Sequence, residues 1–411
     1  MQKFKQYLEE KKNTHMTHLE DKVIYGGVDG VRDAILALRG LRDMLAGHAQ
    51  REVDVTVKWD GAPAVVCGED PDDGKFFVAK KGAFNKTPKI YKSHADIDAD
   101  IPNADLNNKM KIAYTELSKL GIKGVVQGDI MFTSDDLKKE TIDGEDYITF
   151  HPNTIVYAVK SDSAEAKDIR QANIGVVFHT SYTGKTFQDM RASYGVDVSK
   201  FRKVRSVWAQ DAELRDLSGS ASLTKADTDE ITTALSKAGK IFSKIGRSIL
   251  EAVKNNEELA GYIEQHINAN VRQGQMIGDS RRHVDSLIRF VSDKYNKQID
   301  KLKSDKGKAN KTAQRDAVLS FFSPRNKANL INFFELQKSL IVAKLIIINK
   351  LNKVNSLSTF VKTSKGFKVT GAEGFVAIDK LKGGAVKLVD RLEFSANNFS
   401  ADIIKGWDKG R

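Results

Sequence analysis

The 411-residue chain contains a single cysteine, Cys67. An internal disulfide and a cysteine-based zinc site are therefore both excluded, because each needs more than one thiol. Cys67 follows the apolar run 64–66, which predicts a small buried side chain rather than a reactive thiol. So little cysteine is typical of a protein from a reducing compartment, and we expect a cytoplasmic location.

Long hydrophobic runs are also missing. The longest one, Leu340 to Ile348, is interrupted by Lys344 and is far shorter than the roughly 20 residues that a bilayer span needs. The charged N-terminal segment lacks the apolar stretch of a signal peptide. The sequence contains no Gly-x-x-x-x-Gly-Lys-Ser/Thr loop, which argues against a P-loop phosphotransferase. We therefore expect no membrane partner.

Positive charge is in excess. The chain has 66 Lys and Arg against 54 Asp and Glu, a net charge of +12. Such a balance favours a polyanionic partner such as nucleic acid, although a merely soluble basic protein would show it too. The stretch Lys294 to Arg315 holds eight of the cations. We predict that it is polar and partly mobile, and that it either follows a phosphate backbone or forms a solvated linker.

Hydrophobic periodicity predicts four segments. Residues 1–50 and 211–355 have apolar residues at helical spacing, whereas short strands with turn signals dominate 51–210 and return at 356–411. This pattern predicts an α+β protein in which one strand-rich domain is interrupted by a helical insertion, a possible nucleic-acid clamp. The predicted strands lie at 53–58, 64–67, 75–80, 124–132, 154–160, 174–180, 367–370, 375–378 and 386–392.

Lys58 is the first candidate for chemistry. It ends the alternating strand 53–58 and precedes the turn Trp59-Asp60-Gly61, so its amine can project into a cleft. An amine is nucleophilic only when deprotonated, which at neutral pH requires neighbouring cations, a metal ion or burial. The motif Lys-x-Asp-Gly is short, so its weight depends on what accompanies it.

Further segments accompany this motif along the chain. In order, the segments are Lys58-Trp59-Asp60-Gly61, Ala79-Lys80-Lys81-Gly82, Val126-Gln127-Gly128-Asp129-Ile130, Gly175-Val176-Val177-Phe178, Glu373-Gly374-Phe375-Val376 and Lys387-Leu388-Val389. Their order, and the 14 residues from 373 to 387, resemble the covalent nucleotidyltransferase superfamily of ATP-dependent DNA ligases, RNA ligases and mRNA capping enzymes. The resemblance covers residues 53–180 and 368–392. It implies antiparallel sheets around a nucleotide cleft.

The resemblance implies catalytic roles for three residues. Lys58 would attack the α-phosphorus of ATP, expel pyrophosphate and hold AMP as a phosphoramidate. Asp60 would position the nucleophile through the turn. Lys387 would steady the charge that develops on the α-phosphate.

It also implies a set of ligand-binding residues. Asp129 would bond the ribose hydroxyls, Phe178 would stack on the base, and Lys80 would contact phosphate or the incoming strand. Glu373, with Asp129, would bind Mg²⁺ or Mn²⁺. Plainer alternatives remain open: a solvated strand end at position 80, a core ring at 178, a turn cap at 129, and a surface pair formed by 373 and 387.

Two positions depart from the family pattern. Asp129 replaces a glutamate, and Val389 stands where the family has a second lysine. Arg391 or Lys382 is a candidate substitute for that lysine.

Two other polar segments are secondary candidates. Four residues near the N-terminus suggest either a metal site or, more simply, a capping or docking role: His15, His18, Glu20 and Asp21. His179 follows Phe178, so it is a candidate to face the nucleotide.

Several features narrow the choice within the superfamily. Only 24 residues follow Lys387, too few for an OB barrel, so an enzyme like the RNA ligases fits better. NAD-dependent ligases carry a four-cysteine zinc module, so ATP is the expected donor, with GTP left open. We expect an ATP-dependent polynucleotide ligase that joins RNA or DNA ends or nicks.

Two alternatives to the ligase remain. One is a non-catalytic nucleic-acid-binding or virion-associated protein that keeps the ligase fold, and the other is an adenylyltransferase with a target other than nucleic acid. The segment His18-Leu19-Glu20-Asp21 ahead of Lys58-Trp59-Asp60-Gly61-Ala62-Pro63-Ala64 also resembles uncharacterised proteins of large tailed bacteriophages. That resemblance would imply the host cytoplasm as the location.

Overall fold

The structure is a computed structural model that describes residues 17–47, 53–213, 222–354, 357–379 and 384–407. Backbone proximity divides the chain into two compact units. The first unit comprises Met1–Val53, Gly219–Leu351 and Ala377–Ser395, and the second comprises Asp54–Ser218, Asn352–Val376 and Ala396–Arg411. The N-terminal helices and the predicted helical insertion thus belong to the same unit, which also takes in part of the C-terminal segment.

The helices of the described residues are α1 (Lys22–Tyr25), α2 (Gly27–Leu45), α3 (His94–Asp100), α4 (Ala104–Leu117), α5 (Ala164–Gln171), α6 (Lys225–Lys244), α7 (Arg247–Lys254), α8 (Glu257–Arg272), α9 (Ser280–Asp300), α10 (Asp305–Ser320), α11 (Pro324–Leu351) and α12 (Arg391–Phe399).

The strands of the described residues are β1 (Val53–Lys58), β2 (Ala64–Glu69), β3 (Phe76–Ala79), β4 (Val125–Thr133), β5 (Lys138–Ile142), β6 (Glu145–Phe150), β7 (Ile155–Lys160), β8 (Ile174–Thr183), β9 (Arg191–Tyr194), β10 (Val207–Asp211), β11 (Ser358–Thr363), β12 (Gly366–Val369), β13 (Gly374–Asp379), β14 (Gly384–Leu388) and β15 (Ile403–Ile404).

The core of the first unit is built around α11, which packs against α2, α6 and α9. Apolar side chains surround this helix, and Phe333, Leu340 and Ile347 are fully buried. A helix that is apolar on all sides is stable only inside a packed bundle. On α2, Val31 and Leu38 are fully buried as well, which confirms the predicted helical spacing. No helix within the described ranges is long and apolar enough to cross a membrane.

One ion pair lies in the interior of the first unit. The Lys344 ammonium lies 2.8 Å from both carboxylate oxygens of Glu20, and the two side chains are only 1% and 2% exposed. Arg391 donates to Asp21 at 2.9 Å and also lies 3.7 Å from Glu20. The segment 18–21 therefore docks within the chain, on Lys344 and Arg391. Burial acts to raise the pKa of Glu20, but the charges of Lys344, His18 and Arg391 and the Lys344 hydrogen bond together outweigh it and lower that pKa to about 2.

The stretch Lys294 to Arg315, predicted to be partly mobile, is helical on both sides of a short turn. The first helix, α9, ends at Asp300, and α10 begins at Asp305. Ser304 caps α10, because its hydroxyl accepts a hydrogen bond from the Gly307 amide at 3.1 Å. Lysine, glutamine and alanine are good helix formers, so the prediction underestimated local propensity.

The second unit contains a mixed sheet covered by helices. Its strand order is β10-β8-β4-β2-β3, with β9 added to β8. The β10–β8 pair is parallel, and the other pairs are antiparallel. Met110 and Leu117 of α4 pack on one face of this sheet against Val65 and Val126.

A second sheet of this unit has the order β12-β11-β7-β6-β5, with β15 paired to β11. An aromatic core contains residues from both sheets. It includes Phe132 and Trp208 from the first sheet and Phe150 and Tyr157 from the second. Strand β1 pairs with β13 in a separate sheet. The fold is therefore α+β with several antiparallel sheets.

Some predicted elements differ from the observed ones. The predicted strand 386–392 ends at Leu388, and α12 begins at Arg391. Asp390 causes the change, because its carboxylate accepts a hydrogen bond from the amide of Leu392 at 3.0 Å and so starts a helix. The hairpin β5–β6 and the strand β11 were not predicted at all.

Candidate active site

Lys58 is the last residue of β1. Val55, Thr56 and Val57 before it are all buried, so β1 is covered on both faces rather than half-buried as its alternation predicts. The Val57 amide donates to the Ala212 carbonyl at 2.7 Å. At Lys58 the strand reaches solvent, and its side chain is 30% exposed. From Val55 onward, the strand β1 is thus buried except at its last residue, where the Lys58 amine is accessible.

The Lys58 ammonium forms an ion pair with the Glu373 carboxylate. Glu373 immediately precedes β13, and its side chain is 9% exposed. The two residues are far apart in sequence, and the resemblance predicted that they would share a site. The structure brings them into direct contact.

Asp60 fixes the turn that follows Lys58. Its buried carboxylate accepts hydrogen bonds from the Asn153 side chain and the Thr154 amide, each at 2.6 Å, and from the Ile155 amide at 2.9 Å. Burial raises the pKa of Asp60, and these hydrogen bonds together with the Lys58 charge oppose that rise. The carboxylate holds the turn on the start of β7, so Asp60 is a positioning residue.

Gly61 brings the same turn onto β4. A Cβ atom at this position would lie 2.5 Å from the Asp129 Cβ, closer than side chains can approach. The Ala62 amide donates to the Ile130 carbonyl at 3.0 Å, and the Ile130 amide donates to the Pro63 carbonyl at 3.0 Å. Asp129 therefore lies directly against the Lys-x-Asp-Gly turn.

Asp129 and His179 lie side by side on this part of the sheet. The His179 Nε2 atom is 3.6 Å from an Asp129 carboxylate oxygen, and the His179 Nδ1 atom is 2.8 Å from the Thr180 hydroxyl. Both side chains are partly exposed, at 30% for His179 and 21% for Asp129. The two form a polar patch that is open to a ligand.

The hydroxyl of Tyr157 is buried beside the turn and feels the charge of three carboxylates. Its hydroxyl accepts a hydrogen bond from the Asp60 amide at 2.7 Å. Burial raises the pKa of Tyr157 well above its usual range, and the negative charges of Asp60, Glu373 and Asp129 raise it further. All three carboxylates thus act on one hydroxyl group.

Trp59 packs into the aromatic core of the second unit. Its ring centroid lies 5.1 Å from that of Tyr157 and 6.4 Å from that of Trp208. Sequence reasoning missed Trp59, Tyr157 and Asn153 as site residues, because their roles depend on a strand that is remote in sequence. Trp59, the variable position of the Lys-x-Asp-Gly motif, therefore fixes the turn to the aromatic core.

The predicted stacking role of Phe178 requires correction. In the register of β4 with β8, Asp129 lies opposite Val177, whereas Gly128 lies opposite Phe178. Adjacent residues of a strand face opposite sides, so the Phe178 ring points away from Asp129. It is fully buried, with its centroid 5.2 Å from the Phe201 ring. Phe178 is a core residue.

The predicted lysines other than Lys58 have different surroundings. Lys80 follows β3. The pKa of Asp100 is lowered mainly by its hydrogen bond with Lys89, and the charge of Lys80 makes a smaller contribution. Lys387 belongs to the first unit, where its amine lies 5.6 Å from the Phe394 ring centroid. The roles of Lys80 and Lys387 toward phosphate stay predictions.

The candidate substitutes for the missing second lysine fare differently. Arg391 is buried and donates to Asp21, so it does not replace that lysine. Lys382 lies outside the described residues, as does His15. Cys67 is fully buried, and burial raises its thiol pKa, so the prediction of a small buried side chain is confirmed.

The carboxylates near Lys58 suit a divalent cation whose remaining ligands are substrate phosphates and water. Within the described ranges, no three or more His, Cys, Asp or Glu side chains form a metal-binding group. Magnesium in nucleotide sites is usually held by one or two carboxylates together with substrate phosphates and water. Asp129 and Glu373 fit that pattern.

Fold and site together define an α+β protein with an accessible lysine paired to a glutamate at one end of a sheet. The profile of a Family of unknown function (DUF6267) matches residues 13–403. The chain therefore belongs to that family. Neither curated proteins nor solved structures gave a match to the chain.

Proposed function

We propose that the chain is an ATP-dependent nucleotidyltransferase that acts as a polynucleotide ligase through an adenylylated Lys58. The contact between the Lys58 ammonium and the Glu373 carboxylate carries the proposal. It joins two residues that the superfamily resemblance assigns to one site. The packing of Gly61 against Asp129 supports it independently.

The first step is the transfer of AMP to the protein. The amine of Lys58 loses a proton through the contacting Glu373 carboxylate to solvent. Its lone pair then forms a bond to the α-phosphorus, and the bond from that phosphorus to the bridging oxygen breaks, so that pyrophosphate leaves with the electron pair. A 5′-phosphate oxygen next displaces the amine and takes AMP. A 3′-hydroxyl finally attacks that phosphate and releases AMP.

The residues present fit the cation that such a reaction needs. Asp129 and Glu373 would hold Mg²⁺ or Mn²⁺, which would neutralise charge on the triphosphate. Asp60 contributes by holding the backbone of the turn rather than by touching the nucleotide.

The test is covalent labelling of the denatured chain after incubation with α-labelled ATP or GTP and Mg²⁺ or Mn²⁺. The protein is first treated with pyrophosphate to remove any AMP already attached. Wild type is expected to retain label. Lys58→Arg keeps a cation for Glu373 but is expected to lose all label, because a guanidinium is not a nucleophile.

Lys92→Arg provides the matched control. Lys92 is 29% exposed and lies 2.6 Å from Asp70, a buried carboxylate of the same unit. It therefore resembles Lys58 in exposure and pairing, and its replacement should leave labelling intact. Absence of label from wild type with either nucleotide would refute the proposal.

One observation favours a non-catalytic alternative. Phe178, which the resemblance assigns to base stacking, is fully buried in the core. A nucleic-acid-binding or virion-associated protein that keeps the fold without turnover would bind nucleic acid but take no label. Label without sealing of nicked or single-stranded DNA or RNA would instead indicate an adenylyltransferase with another target.

A further inference from the structure

The helices α9 and α10 form a hairpin that carries exposed positive charge. No residue of α10 is buried, and its contacts with α9 include two polar ones. The Lys311 amine lies 4.9 Å from the Tyr295 ring centroid, and the Arg315 guanidinium donates to the Asn296 side chain at 2.9 Å. Most other residues of α10 are exposed, whereas Thr312, Val318 and Leu319 are half-buried.

The lysines around the turn of this hairpin lack acidic partners. Residues 294–308 contain six lysines against two aspartates, a net charge of +4. Within the described ranges, no ion pair of 4.0 Å or less involves any of the six, and all are exposed. They are Lys294, Lys297, Lys301, Lys303, Lys306 and Lys308. The Lys294 amine also lies 5.3 Å from the Phe290 ring centroid.

Three of these lysines form a row. Lys294, Lys297 and Lys301 are three and four residues apart, so they share one face of α9 and its C-terminal end. At about 1.5 Å per residue the row is roughly 10 Å long. One strand of a duplex carries a phosphate about every 3.4 Å along the axis. The row is thus about as long as three such intervals, so its three charges can lie along the phosphates of one strand.

The hairpin lacks the features that other polyanionic partners require. Tyr295 is fully buried and Phe290 half-buried, so no exposed aromatic ring is available on which single-stranded bases could stack. The helix α10, with the sequence DKGKANKTAQRDAVLS, has no apolar stripe like that of a helix that lies in a membrane surface. Point charges without stacking rings suit a duplex, whose phosphates face outward.

We infer that the α9–α10 hairpin binds the sugar–phosphate backbone of a nucleic-acid duplex without reading its sequence. The choice of a nucleic acid as the polyanion rests on the proposed function. The inference adds the form of the substrate, a duplex, and the surface that holds it.

The experiment measures fluorescence anisotropy of a labelled mixed-sequence duplex and of one of its strands, without nucleotide, over a range of salt concentrations. The variant Lys294→Gln/Lys297→Gln/Lys301→Gln removes the row. If all three contact phosphates, the slope of log affinity against log salt should fall by about 2.7, and affinity for duplex at 0.1 M salt by about a hundredfold or more. Circular dichroism checks that the helices remain.

The matched control is Lys123→Gln/Lys160→Gln/Lys200→Gln. These lysines are exposed and lie in surface ion pairs with Glu69, Glu145 and Asp197, so their removal changes net charge equally but away from the hairpin. The control should bind duplex like wild type. An equal loss in the control, or an unchanged slope in the hairpin variant, would overturn the inference.

Two further outcomes bear on the choice of partner. Tighter binding of the single strand, or preferential binding of vesicles that contain phosphatidylserine, would also overturn it. The labelling of Lys58 needs no nucleic acid and should survive in the hairpin variant. If wild type takes no label but the hairpin variant still loses duplex binding, the inference stands while the proposed catalysis fails.

Discussion

Replacement of Asp60 tests whether the Lys-x-Asp-Gly turn is held as the structure indicates. Asp60→Ala leaves three hydrogen-bond donors without an acceptor: the side chain of Asn153 and the amides of Thr154 and Ile155. In the wild-type structure they donate to Asp60 over 2.6 to 2.9 Å. A buried donor left without a partner costs about 1–3 kcal/mol. For three donors we therefore expect the free energy of unfolding to drop by roughly 3–9 kcal/mol.

Asp60→Asn should cost less. Its oxygen can keep the two amide donors, and its new NH₂ group can donate to the Asn153 oxygen, which is buried without a partner in the structure, if that side chain turns over. What remains is the loss of charge assistance, about 1–3 kcal/mol in all. Urea denaturation followed by tryptophan fluorescence measures both variants.

The labelling assay then separates positioning from direct contact. If Asp60 only holds the turn, loss of label should follow loss of stability, so that the asparagine variant retains most of its labelling. A stable asparagine variant that takes no label would refute this reasoning and assign the carboxylate to the nucleotide. An alanine variant as stable as wild type would show that the hydrogen-bond network is not structural.

The remaining predictions concern the first unit. Glu20→Gln should lower the free energy of unfolding by about 3–5 kcal/mol, because it leaves the buried Lys344 ammonium without a counter-charge. Lys344→Met should lower it less, because Arg391 still lies 3.7 Å from Glu20. Denaturant titration of both variants checks this order. Stability should also decline below about pH 6.5, since burial lowers the pKa of His266 to about 4 and of His283 to about 3. The neutral rings contribute fully above pH 6.5, and that contribution is lost as pH falls, by up to about 1.4 kcal/mol per pH unit for each histidine. Equal urea midpoints at pH 7.5 and pH 5 would contradict this.

Much of the fold is readable from local patterns. Strands β1, β2, β3, β4, β7 and β8 were predicted because apolar runs are bounded there by glycine, proline or charge. The missed hairpin β5–β6 also carried a signal, since Asp143 and Gly144 form its turn with positive φ angles of 52° and 83°. Asp-Gly between two strands is typical of a tight hairpin. Its flanking residues are largely polar, which hid the strands.

The candidate site could not be predicted from hydrophobic periodicity. No local pattern indicates that Lys58 contacts Glu373, and only the superfamily resemblance suggested it. The misassignment of Phe178 has a specific cause: the register shift between Gln127 and Gly128 changes which residues of β8 face Asp129. His179, the neighbour one position away, is the one that reaches it. Side-chain direction at a bulge cannot be counted from sequence.

Tyr157 has two functions in one side chain. Its ring is part of the aromatic core, and its hydroxyl holds the main chain beside Lys58. The packing of the interior therefore also holds the backbone that carries the Lys58 amine. Substitutions that loosen this core at a distance, without touching any polar residue, would therefore also move the Lys58 amine. If the proposed adenylylation is correct, a screen for thermal stability alone would recover many of the variants that lose it.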